Sequence, residues 1–190
     1  MQTKKLKDIT EIILGYTFRK SIVQSNNGNY SVILAKDINN ETPISTSSLS
    51  KINLKTLNPT ALIKPNDILL SSRGIFKAAV FNDKTTNIIA ASSIFILRPT
   101  SKDILPEYLS ILLNSSVGQT KIQKIITGSS IKTILKSDLE NIDIEIPSLE
   151  NQKTIIEIIK NLSHQEKILE EKISLNKKLT KSILQKLLTK

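Results

Sequence analysis

From Ser148 to Lys190 the chain contains neither Pro nor Gly, and its apolar residues return at heptad spacing from Ile155 to Leu187. With Ile155 set as a d position, the a series is Ile159, Glu166, Ile173, Thr180 and Leu187, and the d series is Ile155, Leu162, Leu169, Asn176 and Ile183. Seven of these ten are apolar, which is the pattern of a coiled-coil seam rather than of a generic amphipathic face. Pro147 stops the element before it, and Ser148 can cap the first turn by accepting a backbone N–H. At about 1.5 Å per residue such a helix spans roughly 60 Å, about two small-domain diameters, so a domain of this size cannot bury it. The expectation is a partner helix, held through Ile155, Ile159, Leu162, Leu169, Ile173, Asn176, Ile183 and Leu187. Glu166, Asn176 and Thr180 weaken the seam and restrict its register, because a buried polar residue must find its mate. The competing reading is a terminal helix folded back on its own domain, and both its length and its 3.5-residue period argue against that.

The whole chain has 190 residues, enough for one domain and an extension without covalent staples. With no Cys there is neither a disulfide nor a thiolate metal site, which fits a reducing cytoplasm. No apolar run reaches the roughly 18 residues of a membrane span, and Met1 to Lys5 is too short and polar for a cleavable signal. A soluble, cytoplasmic protein without a membrane partner is expected. The net charge is +10, and both parts share it: residues 1–149 carry 18 basic against 12 acidic residues (+6), and 150–190 carry 9 against 5 (+4). A pI near 9.7 points to a polyanionic partner, most commonly nucleic acid, although a composition rich in Ile, Asn and Lys also follows from an AT-rich genome.

Along the first part, residues 6–14 alternate apolar and polar side chains and read as a first strand ending at Gly15. A polar loop at 25–29 precedes a β-rich run at 30–38, and 39–59, dominated by Asn, Thr and Ser, reads as loops and short strands. Pro65-Asn66-Asp67 makes a turn into a buried strand, and 78–81 and 88–97 supply two more, the last closed by Arg98-Pro99. Pro106 suits the first turn of a helix reaching about Ser116, and a second helix is read over 119–126 with Gly128 as its left-handed C-cap. Residues 129–135 are left as a loop or helical turn, and 139–146 read as the last strand. The expected fold class is α+β: a mixed α/β globule over 1–147, followed by one long C-terminal α-helix over 148–190 that forms a coiled coil.

Catalytic chemistry finds little to work with. The single His, His164, lies on the long helix between Ser163 and Gln165, so a nucleophile–His–acid arrangement cannot be assembled, and a solvated helix residue is the better reading. There is no phosphate-cradling glycine loop and no paired Cys/His spacing. Asp138, Glu140, Asp143 and Glu145 could suggest a metal site, but alternation on a strand makes Asp143 and Glu145 neighbours on a solvent face. A non-catalytic protein without a metal or cofactor of its own is expected.

Three Tyr and four Phe, scattered, equip the chain poorly for stacking the bases of a single strand, so double-stranded DNA is the better polyanion. The natural contacts are cations beside small or flexible residues: Arg19 and Lys20, Lys36, Arg73 with Lys77, Lys84, Lys121 with Lys124, and Lys132 near Ser129. Arg reads guanine bidentately in the major groove and Asn does the same for adenine, whereas Lys and Ser more often position the backbone. Arg19 and Arg73 are therefore the leading base readers, followed by Asn26, Asn27 and Asn29. For each of these a solvated surface side chain is the rival reading, and the set carries more weight than any member.

In order, several segments resemble the specificity subunit of type I restriction-modification systems: Leu6-Lys7-Asp8-Ile9 with Gly15-Tyr16-Thr17-Phe18, then Ile63 to Leu69, then Ile94 to Pro99. Gly128-Ser129-Ser130-Ile131 and the run Leu139 to Gln152, entering a long helix, are similar to that family's closing strand and conserved-region helix. The family has two recognition domains and two such helices, whereas this sequence shows one of each and looks like a half-length form. The resemblance implies a target recognition domain for one half of a bipartite DNA site, and a helix that spaces and orients two such domains. It also implies docking to modification (methyltransferase) subunits, which supply S-adenosylmethionine, and to a restriction subunit. Two copies pairing antiparallel through their helices would form a homodimer that mimics a complete subunit. A coiled-coil adaptor that never touches DNA, or the specificity part of a fused restriction-methylation enzyme, are the alternatives.

Overall fold

A computed structural model describes residues 2–18, 25, 27–39, 44–54 and 59–188. In chain order the elements are β1 (Gln2–Lys5), α1 (Leu6–Ile9), β2 (Thr10–Leu14), β3 (Tyr30–Ile33), β4 (Ser50–Ile52), β5 (Ile68–Ser71), β6 (Ala78–Val80), β7 (Ile88–Ala90) and β8 (Ile94–Pro99). They continue with α2 (Pro106–Asn114), α3 (Ser116–Gln123), β9 (Ile126–Thr127), β10 (Thr133–Ile134), α4 (Lys136–Glu140), β11 (Asp143–Ile146) and α5 (Leu149–Leu188). The mixed composition of strands and helices, ending in one long helix, is the α+β arrangement expected. The chain divides into two compact units, Met1–Gln152 and Lys153–Lys190.

The first unit is built on a four-stranded antiparallel sheet in the order β2-β8-β5-β6 and a three-stranded sheet in the order β4-β3-β7, in which β3 and β7 run parallel. A core of Ile33, Ile38, Ile63, Leu69, Phe81, Ile88, Ile94 and Ile96, among others, draws on both sheets. The neighbours of these residues along β3 and β7, Val32 and Ile89, enter a second cluster with Ile52, Ala91, Tyr16 and Phe18. Burial on both faces explains why Ile88-Ile89-Ala90 is uninterruptedly apolar. Gly15 ends β2, as expected, because a Cβ there would lie 2.0 Å from the Ala91 carbonyl oxygen. That close approach lets the Tyr16 N–H donate to the Ala90 carbonyl at 2.7 Å.

The Pro65-Asn66 turn into β5 is present. Asn66 takes the left-handed conformation (φ 72°) that the third position of this turn requires, and the Asp67 N–H donates to the Lys64 carbonyl at 3.1 Å. The Asp67 carboxylate is buried, accepts from the Lys64 N–H at 2.7 Å, and receives Nε and Nη2 of Arg98 at 2.9 and 2.8 Å. Arg98 thus fastens the start of β5 to the end of β8, and its Nη2 also reaches the Leu62 carbonyl at 2.8 Å. The outer edge of the sheet is closed by a side chain. Asn114 accepts from the Ala78 N–H at 2.9 Å and donates to the Ala78 carbonyl at 2.8 Å, as a neighbouring strand would.

Several expectations need correction. Residues 6–14 are not one strand: Asp8 accepts from the Lys5 N–H at 3.2 Å and Thr10 Oγ1 donates to the Leu6 carbonyl at 2.9 Å, so 6–9 coil into α1 before β2 begins. Residues 88–97 are two strands in different sheets, separated at Ala91–Ser93. The second helix starts at Ser116, capped by the Ser115 side chain on the Gly118 N–H, and ends at Gln123, so Gly128 does not cap it. Gly128 has the expected positive φ (91°), but it serves the turn of a hairpin, β9–β10, in the stretch read as loop or helical turn. Residues 139–146 likewise divide into α4 and then β11, which pairs with β1 rather than with a main sheet.

The second unit is helical throughout its described length. α5 begins within the first unit, where Ser148 caps it, its Oγ accepting from the Asn151 N–H at 3.3 Å. Gln152, in the first turn, is fully buried, and its amide bonds the Leu105 N–H and the carbonyls of Asp103 and Pro147. From Glu157 to Leu188 every residue is exposed, including seven of the eight expected seam residues, while Ile155 is half-buried. Among the described residues no helix is long and apolar enough to cross a membrane.

Candidate nucleic-acid interface

The loop between β5 and β6 rises from a rigid base. Buried Ser71 donates through Oγ to the Ile75 carbonyl and accepts from the Lys77 N–H at 2.9 Å, while its own N–H donates to the Lys77 carbonyl at 3.0 Å. One small hydroxyl therefore ties both ends of the turn Ser72–Phe76 together. Gly74 at the tip has φ 77°, with no atom within 4 Å of where a Cβ would stand, so it is needed for its conformation and not for space.

The β9–β10 hairpin docks on this loop. Arg73 bridges Thr133, the Gly74 N–H donates to the Lys132 carbonyl at 3.0 Å, and the Ile134 N–H donates to the Ser72 carbonyl at 3.0 Å. Two segments some 60 positions apart thereby become one rim, a long-range closure that no local pattern announces. Arg73, Ser129 and Lys132 all stand exposed on it. Lys77 closes the loop's base and is half-buried, and Lys124 is exposed two residues before β9. Five of the expected contact residues, Arg73, Lys77, Lys124, Ser129 and Lys132, are thus assembled on two adjoining segments.

The other candidates lie elsewhere. Asn27 precedes β3, Lys36 follows it in a single 3-10 turn, and Lys84 lies on the segment leading to β7, so these three belong to loops of the three-stranded sheet. Arg19, Lys20 and Asn26 lie outside the described residues. Two candidates are already committed to holding the fold. Asn29 donates to the Leu54 carbonyl and accepts from the Leu54 N–H, both at 2.9 Å. Lys121 pairs with Glu145 at 2.6 Å and also donates to the Asp143 carbonyl at 2.6 Å. The β11 carboxylates are engaged as well: Asp143 pairs with Lys5 at 2.7 Å, and that hydrogen bond holds its pKa below the ordinary value. Among the described residues there is no group of three or more His, Cys, Asp or Glu side chains placed to share a metal ion.

Residue-type reasoning passes over Ile75 and Ile131. They stand on the same rim, 77% and 65% exposed, and the only signal for them is an Ile shortly after a glycine, Ile75 directly after Gly74 and Ile131 three residues after Gly128.

Residues 1–181 match the family described as the type I restriction modification DNA specificity domain. The chain belongs to that family. It is 27% identical, over 208 aligned residues, to the putative type I restriction enzyme MjaX specificity subunit of Methanocaldococcus jannaschii, with 100% of this chain covering 45% of that relative. It is also 27% identical to the StySPI specificity subunit of Salmonella potsdam over 86% of this chain and 36% of the relative. The specificity-domain sequence thus spans less than half the length of these relatives. Among solved structures, the HsdS subunit of Thermoanaerobacter tengcongensis superposes with a TM-score of 0.64 at 20% identity, over 90% of this chain and 39% of that one. The S subunit of M. genitalium gives 0.60 at 16% identity, over 93% and 42%. A structure described under complex assembly and conformational transition of the type I R-M system gives 0.68 at 19%, over 88% and 39%. These likenesses extend the specificity-subunit fold to this chain.

Proposed function

We propose that this specificity domain reads one half of a bipartite DNA target with residues 1–147, and that residues 148–190 pair two such readers at a set separation. The observation that carries the proposal is the rim on which the Arg73 loop and the β9–β10 hairpin bring Arg73, Ser129 and Lys132 together, with Lys77 at the loop's base and Lys124 just before β9. Arg73 has the geometry to take guanine O6 and N7 bidentately, a contact worth about 1–3 kcal/mol of discrimination. The lysines and Ser129 position phosphates and carry the salt dependence. In this reading the chain recognises and does not catalyse. Methylation, using S-adenosylmethionine, belongs to modification subunits, and cleavage to a restriction subunit.

Charge along α5 supports pairing with a second copy, antiparallel. Residues 149–171 hold five Glu and three Lys, whereas 172–188 hold five Lys and no acidic residue. A parallel pair would set the lysine-rich halves side by side. An antiparallel pair sets each against the acidic half of its partner, which favours that orientation. A two-fold pair of readers implies an inverted repeat interrupted by unread bases.

The test is duplex binding together with methylation mapping of DNA from cells carrying the chain and its modification subunits. A symmetric interrupted motif is expected, with log affinity falling by roughly 0.9 per phosphate contact for each tenfold rise in salt. Arg73→Ala should weaken binding and relax preference at one base pair. An absence of duplex binding at low salt would overturn the proposal and leave a protein-only adaptor.

A further inference from the structure

Ile75 and Ile131 are the two highly exposed large apolar side chains of the rim, and the main-chain carbonyl of each is engaged by its own segment. The Ile75 carbonyl accepts from Ser71 Oγ. The Ile131 carbonyl accepts from Thr133 Oγ1 at 3.3 Å and is approached so closely by Gly128 that a Cβ there would lie 2.5 Å away. The bond from the Gly74 N–H to the Lys132 carbonyl joins the main chain immediately before Ile75 to the main chain immediately after Ile131. Isolated exposed isoleucines are ordinary on a protein surface. Two on adjoining, hydrogen-bonded segments, beside Arg73 and Lys132, offer a small apolar contact inside a basic rim.

Resting on the DNA-reading role proposed above, we infer that Ile75 and Ile131 read thymine by packing on its 5-methyl group in the major groove. The surrounding cations choose duplex DNA as the occupant of this apolar contact. Arg73, two residues from Ile75, directs the loop to the groove in which guanine O6/N7 and the thymine methyl are both displayed. The methyl is the one apolar feature that groove offers, so an aliphatic side chain distinguishes A·T from G·C there without a hydrogen bond.

The experiment assembles the chain with its modification subunits on a duplex carrying the methylation-mapped motif and replaces each thymine in turn by deoxyuridine, which removes only the methyl. Affinity should fall about fourfold for each contacted methyl, the equivalent of one buried methyl-sized group, and only at one or two positions per half-site. Ile75→Ala and, separately, Ile131→Ala should abolish that difference while still binding the deoxyuridine duplex as the unsubstituted protein does. The inference is overturned by indifference to every replacement, by a mapped half-site made of G·C pairs alone, or by variants that lose equal affinity on both duplexes. Those results leave DNA reading intact, whereas failure to bind any duplex removes both.

Discussion

Among the described residues Asp67 is the one buried acidic side chain. It is 1% exposed and satisfies three donors, two from Arg98 and one from the Lys64 main chain. Asp67→Ala leaves a partly buried guanidinium without its partner and should cost about 3 kcal/mol, read as a lowered urea midpoint; an unchanged midpoint would contradict this account of the β5–β8 junction. At Asp83 the effect depends on pH. Hydrogen bonds from Thr46, the largest cause, and then from Thr85 lower its carboxyl from 3.8 to about 2. Because the folded pKa lies below the unfolded one, this tether contributes fully above pH 3.8 and is lost as pH falls toward 2. Thr46→Val should move the carboxyl resonance's titration midpoint up toward the ordinary value in an NMR pH series. At this scale the sequence singles out Arg73 and Lys132 through their glycine and serine neighbours. It names Asn29 and Lys121 by the same residue-type logic and cannot see that they hold the fold, because their partners at Leu54 and Glu145 lie 25 and 24 residues away.

Among the elements, α5 is the one most fully written in the sequence, since a heptad repeated over many turns has no strand equivalent, and its cap at Ser148 and its range both match. Short elements are ambiguous for a physical reason. Over four or five residues, apolar positions fit a two-residue and a 3.6-residue period equally well, and α1 and α4 are decided instead by local hydrogen bonds such as Asp8 to the Lys5 N–H. The β9–β10 hairpin is harder still, because two-residue strands carry no period. The helix also supplies its own test. Ile173, at an a position and 54% exposed on the single chain, should tolerate Asp without loss of helix signal. In a dimer, however, Ile173→Asp buries a charge at the seam, and sizing by light scattering at micromolar concentration should report a monomer. A variant that stays dimeric would move the interface away from this stripe.

For the whole molecule, the α+β class and its long terminal helix are legible in the sequence because each rests on patterns of ten residues or more. The division into two sheets, and the joining of the Arg73 loop to the hairpin, are not, because both are long-range pairings made after the elements exist. The Asn114 amide shows how such a pairing shapes behaviour in solution. A bare border strand is sticky toward any extended peptide, and here the border at Ala78 is already occupied by a side chain of the same molecule. Asn114→Ala should therefore produce time-dependent turbidity at high concentration with little change in initial helicity. By plugging that border the fold turns away indiscriminate strand-to-strand adhesion and, on the pairing proposed above, leaves self-association to the helical tail, where company can be selected.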